Sequence, residues 1–115
     1  MRSFGQILGH IADANYLFCS TVLGENPPSQ GIEKTRTTKA ELTSAMHEAF
    51  VYCSRAYEAL TDASANETVK AFGQERNKLG ALWFNASHNL EHYGNLVVYM
   101  RLKGMVPPSS DPIPQ

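Results

Sequence analysis

Apolar residues recur at helical spacing in three stretches of the chain, and polar connectors lie between them. In the first stretch Phe4, Ile7, Leu8, Ile11, Phe18 and Val22 share one side and Gln6 and Asp13 the other, which predicts a helix from Phe4 to Leu23 capped by Ser3. Gly24 and Asn26-Pro27-Pro28-Ser29 end it, because glycine accepts the left-handed conformation after a helix and proline cannot continue one. In the second stretch Leu42, Met46, Ala49, Cys53, Ala56 and Leu60 alternate by four and three, with Ala45, Phe50 and Tyr57 widening the seam. Thr38-Lys-Ala-Glu41 has the form of a capping box at its start. The third stretch predicts a long helix from about Asn77 to Lys103, stopped by Gly104 with Pro107 and Pro108 beyond.

That last helix is apolar on two sides. Leu79, Trp83, Ala86, Leu90, Tyr93, Val97 and Met100 make one stripe; Ala81, His88, His92, Leu96 and Tyr99 make another roughly opposite. Such a helix belongs inside a bundle, yet only two other helices are available to cover it. The connectors say less. Residues 25–37 carry no apolar period and predict a mobile or draped loop without chemistry, and 61–66 a small polar turn. Val69, Ala71, Phe72 and Gly73 fit a short extended or a helical connector equally well. Residues 1–108 are expected to form one all-α domain, and 109–115, which include Asp111-Pro-Ile-Pro114, a flexible tail.

Charge narrows the function. With 10 Lys and Arg against 11 Asp and Glu, interspersed, the chain has no basic stripe for a phosphate backbone, so nucleic acid is not the expected partner. No apolar run reaches the roughly 18 residues of a membrane-spanning helix, and the first residues do not resemble a signal peptide. A cytoplasmic protein is expected. Cys19 and Cys53 form no CxxC and lie in separate helical stretches, which predicts buried, reduced thiols.

The chemistry that stands out is imidazole. His88 and His92 are four apart on a helix, so their rings project from one face a single turn apart. His10 falls at the edge of the first helix's apolar stripe, at the margin of a core. Three imidazoles from two facing helices could hold one divalent ion and leave a position open, although two hydrogen-bonded histidines fit the i, i+4 spacing as well. His47 lies about 140° from its seam's centre and reads as solvated. Asn85, Asn89, Glu91 and Asn95 are polar company for the pair, able to fix a ligating ring's tautomer, with Glu91 and Asn95 also reading as ordinary solvated positions. Tyr99 could turn its hydroxyl toward a ligand or serve as core. The sequence contains no GxSxG, P-loop, GxGxxG or HExxH.

Arg2-Ser-Phe-Gly-Gln-Ile-Leu-Gly-His10-Ile-Ala-Asp13, Ala86-Ser-His88-Asn-Leu-Glu-His92-Tyr-Gly-Asn-Leu-Val-Val-Tyr-Met-Arg101 and Gly104-Met-Val-Pro-Pro108 resemble the DinB-like, YfiT-type family of metal-dependent proteins. The resemblance implies an up-down-down-up four-helix bundle with a metal held by one histidine of the second helix and an HxxxH pair on the fourth. By position these are His10, His88 and His92. It also implies Zn²⁺ or Ni²⁺ as the metal and thiol-dependent transfer with a low-molecular-weight thiol as the activity, with no catalytic residue beyond the ligands assigned except help from Glu91 or Tyr99. The alternative is a non-catalytic, stress-associated interaction protein. Because His10 corresponds to the family's second helix, the first is expected to be missing, and a homodimer is expected to complete the bundle.

Overall fold

A computed structural model describes residues 1–112. Three long helices form the body: α1 (Phe4–Leu23), α3 (Lys39–Ala59) and α4 (Lys78–Leu102), with a one-turn helix α2 (Ile32–Thr35) between the first two. Their ends follow the sequence signals. Ser3 and Gln6 make a capping box on α1, Thr38 and Glu41 another on α3, and Asn77 caps α4 through the Gly80 amide. Gly24, at φ 72°, closes α1 in the left-handed conformation.

α1 is the central helix. Leu42 near the start of α3 packs against the start of α1, and Cys53 near its end meets Cys19, so α1 and α3 run in the same direction. α4 runs the other way, since Leu96 near its end packs on Ile7 and Ile11 and Ala81 and Leu82 near its start pack with Cys19 and Val22. Two parallel neighbours need a connector that travels back along the bundle. Residues 24–38 do this, and they do so in contact with α1: Ile32 is buried in the cluster of Ala12, Tyr16, Leu42 and Ala49. The draped form of the expectation holds, because a single buried isoleucine, too little to make a period, anchors the segment to α1, whereas the absence of chemistry does not, since Glu33 on α2 reaches His10.

Two further corrections concern the connectors and the cysteines. Thr68–Ala71 (β1) and Gln74–Asn77 (β2) form an antiparallel hairpin, with Thr68 opposite Asn77. Phe72 and Gly73 turn it with φ of 51° and 73°, the left-handed pair that matches strand twist. Of the two readings left open for this connector the extended one holds, and the all-α expectation is corrected: the chain is mostly helical with a small two-stranded sheet, whose four-residue strands are too short for periodicity to choose. Cys19 and Cys53 form a disulfide, with Cα atoms 5.3 Å apart, in place of the expected reduced thiols. Same-direction helices put the two at one level, which spacing in sequence does not report. Of the stretch expected as a flexible tail, the Ser109 amide donates to the Tyr93 hydroxyl and Arg101 donates to Ser110, while 113–115 lie outside the described residues. Among the described residues no helix is long and apolar enough to cross a membrane.

A candidate metal centre

The antiparallel contact of α1 and α4 brings three rings together. His10 Nε2 lies 3.2 Å from His88 Nε2, and His92 Nε2 lies 3.1 Å from the same atom. The three ligand atoms all lie within 4.8 Å of one another. Nitrogens about 2.05 Å from a tetrahedral ion stand about 3.3 Å apart, so the two short separations are those of a shared ion. His47, as expected, is exposed and elsewhere.

The far side of each ring decides where its lone pair points. His10 Nδ1 is 3.4 Å from Glu33 Oε1, and His92 Nδ1 is 3.1 Å from Asn95 Oδ1. An N–H on His92 Nδ1 donated to Asn95, and a proton held on His10 Nδ1 by the nearby Glu33 carboxylate, leave both Nε2 atoms as lone-pair donors aimed at His88. A proton on His88 Nε2 can satisfy one of them well, not both. The centre is thus electron-rich, and a cation answers it better than the hydrogen bonds available. His88 Nδ1 is buried and has no hydrogen-bond partner among the described residues. Burial is the main cause that lowers the pKa of His10 and His88 below the usual imidazole value, followed by Arg2 and His92 for His10 and by His92 and His10 for His88. Glu33 and Asp13 oppose this at His10. His10 and His88 are held toward the neutral form, which is the form that binds metals.

Glu33 is the residue that sequence reasoning missed, and three others place it. Asp13, expected on the polar side of α1, accepts from the Ile32 and Glu33 amides at 2.9 and 3.0 Å, pinning α2 onto α1. Gly9 permits the approach: a Cβ there would stand 2.6 Å from Glu33 Cα. Arg2 then donates to Glu33 Oε2 at 2.7 Å. An arrangement of Gly, His and Asp within five residues was the available signal, but its partner lay some twenty residues on in a stretch without period.

The asparagines divide. Asn95, though exposed, pairs with His92, whereas Glu91 is exposed. Asn85 and Asn89 turn instead to Asn15 on α1. Asn15 donates to the Ile11 carbonyl and to Asn89, and accepts from Asn85 and Asn89, a polar lock that fixes α1 against α4 next to the rings. Tyr99 donates to the Arg2 carbonyl at 2.6 Å, so its hydroxyl faces the first residues of the chain and not the rings. A cavity of about 350 Å³ opens beside His92, walled by Arg2, Ile7, Asn95, Val98 and Leu102 among others.

Residues 1–96 match the family model of the DinB superfamily, a span that includes all three histidines, Glu33 and Asn95. No curated protein matches the chain.

Proposed function

This chain belongs to the DinB superfamily, and on that premise we propose that it binds a divalent cation, Zn²⁺ or Ni²⁺, through His10, His88 and His92 and serves thiol-dependent transfer or a related metal-assisted reaction. The observation that carries the reading is the convergence of three Nε2 atoms, two of them with the opposite ring nitrogen held by Glu33 and Asn95. A cation in such a setting lowers the pKa of a thiol or water toward neutrality, which makes a nucleophile without a strong base. The protein's own contribution is to hold His10 and His88 toward the neutral form by burial and to orient His10 and His92 through Glu33 and Asn95. The cavity beside His92 would admit a small substrate, with Arg2 as the cation on its wall and Ile7, Val98 and Leu102 as its apolar lining.

A non-catalytic, stress-associated interaction protein is the second reading. It is favoured by the placement of the two side chains that might have assisted chemistry: Glu91 is exposed and the Tyr99 hydroxyl is engaged by Arg2. Metal analysis of protein purified without a histidine tag separates the possibilities. Stoichiometric metal in the wild type, lost in His88→Ala and His92→Ala, is expected; equal, substoichiometric metal in all three ends the metal reading. Stoichiometric metal with no transfer to any of several cellular thiols favours the second. We propose in addition that two copies pair through the outer face of α4.

A further inference from the structure

A second concavity lies at one end of the molecule, where the first turns of α1 and α3 meet the last turn of α4. It is the roomier of the two, about 620 Å³, and its walls are apolar: Phe4, Leu8, Leu42 and Met100 supply them together with the ring of Tyr99. Two cations stand on it, Lys39 from the start of α3 and Lys103 from the end of α4, and among the described residues no Asp or Glu lines it. Neither lysine joins an ion pair among the described residues. The volume and the ratio of apolar wall to polar groups are those of a small-molecule site.

The histidines are not part of it. Tyr99 is the wall between the two spaces, with one side on the cavity beside His92 and the other on this groove. Its hydroxyl is fixed to the Arg2 carbonyl and its ring meets Phe4 edge-on at 6.3 Å between centroids. What the groove asks for is therefore independent of the metal. An apolar trough asks for a hydrocarbon chain. Two unpaired ammonium groups without a competing carboxylate ask for an anion at its end, and the lysine stems can lie along the chain while their heads reach the charge.

We propose that this groove binds a single-chain anionic amphiphile, the tail lying over Phe4, Leu8, Leu42 and Met100 and the head group between Lys39 and Lys103. Fatty carboxylates and single-chain phospholipids share this chemistry, and parallel titrations with dodecanoate and with a lysophosphatidate of the same chain length tell the two apart by affinity.

Calorimetric titration of the intact chain with dodecanoate, below its micelle concentration and at fixed ionic strength, tests the proposal. One site per chain is expected. Lys39→Glu with Lys103→Glu should weaken it at least tenfold while circular dichroism and melting temperature stay as in the wild type, because both lysines are exposed. Dodecyltrimethylammonium, with the same tail and the opposite head, should bind the wild type at least tenfold more weakly than dodecanoate and should gain in the doubly reversed variant. His88→Ala should bind dodecanoate as the wild type does. Equal binding of the two head groups, many weak sites, or an affinity indifferent to charge reversal would overturn the proposal. So would a wild-type dimer that excludes dodecanoate until it dissociates, since a second copy would then be the occupant.

Discussion

Gly9 does more for the candidate site than its lack of a side chain suggests. A methyl group at this position would meet backbone, Glu33 Cα at 2.6 Å and Glu33 N at 2.9 Å, so no side-chain rotation relieves the clash and α2 must move. The movement carries Glu33 away from His10 and strains the two amide bonds to Asp13. Gly9→Ala is therefore expected to destabilise the fold by about 1–3 kcal/mol, as overpacking generally does, and to weaken metal binding by about tenfold through loss of the ring's partner. Gly94→Ala is the control: nothing lies within 4 Å of its Cβ, and alanine at a mid-helix glycine should stabilise by about 0.5–1 kcal/mol. Chemical denaturation and competitive metal titration of the two variants check both directions. At this scale the three ring positions were legible, because i, i+4 spacing and the edge of an apolar stripe are local properties of helices. Glu33 was not, since its role depends on a close approach between segments that no local pattern encodes.

Helices announced themselves through caps and period, while the elements that join them did not. The hairpin has only Val69 and Ala71 as apolar strand residues and turns on Phe72, a residue that rarely takes positive φ. What compensates Phe72 is its ring, 4.7 Å from that of the wholly buried Phe18, a tertiary contact invisible in sequence. The exit from α1 is joined to α3 by a different device. Glu25 accepts from the Tyr52 hydroxyl at 2.8 Å and from Arg55 at 2.8 Å, tying the residue after the C-cap to the last third of the neighbouring helix. Burial first, and then the bond to Glu25, push the Tyr52 phenol up to about 12. The sign follows from linkage. A folded-state pKa above the unfolded value of about 10 contributes stability that is complete below pH 10 and is lost as pH rises toward 12. Absorbance of phenolate is expected to show one tyrosine titrating near pH 12 that disappears in Tyr52→Phe, and the variant's stability should fall less steeply between pH 10 and 12. Loss of the same amplitude near pH 10 would contradict this.

α4 carries, beside the seam that docks on α1, a second and more apolar one that a single copy of the chain covers only in part. Leu82, Asn85, Asn89, His92, Leu96 and Tyr99 alternate by three and four along the side that meets α1. One position further, about 100° around the helix, Leu79, Trp83, Ala86, Leu90, Tyr93, Val97 and Met100 keep a strict four-three alternation over the same length. Leu79, Trp83 and Leu90 on this seam are 54%, 73% and 71% exposed. The sequence revealed this excess without the fold, since counting faces against helices needs no coordinates; what it lacked was which face α1 would take, and that was settled by His88 and His92 meeting His10 and by Asn85 and Asn89 docking on Asn15 of α1. A four-three seam is the pattern by which helices pair with their own kind. Burying a leucine or tryptophan contributes about 1.5–3 kcal/mol, and a two-fold contact uses each residue twice. Wild type is accordingly expected to sediment as a dimer at tens of micromolar. Leu90→Glu, which removes the apolar group and places like charges across the axis, should raise the dissociation constant by on the order of a hundredfold, at about 1.4 kcal/mol per tenfold. Because Leu90 is exposed in the single copy and its side lies away from the rings, the variant should keep its helical circular dichroism and its metal. Dimerisation unchanged by Leu90→Glu and Trp83→Glu together would mean that this face of α4 is not where two copies meet.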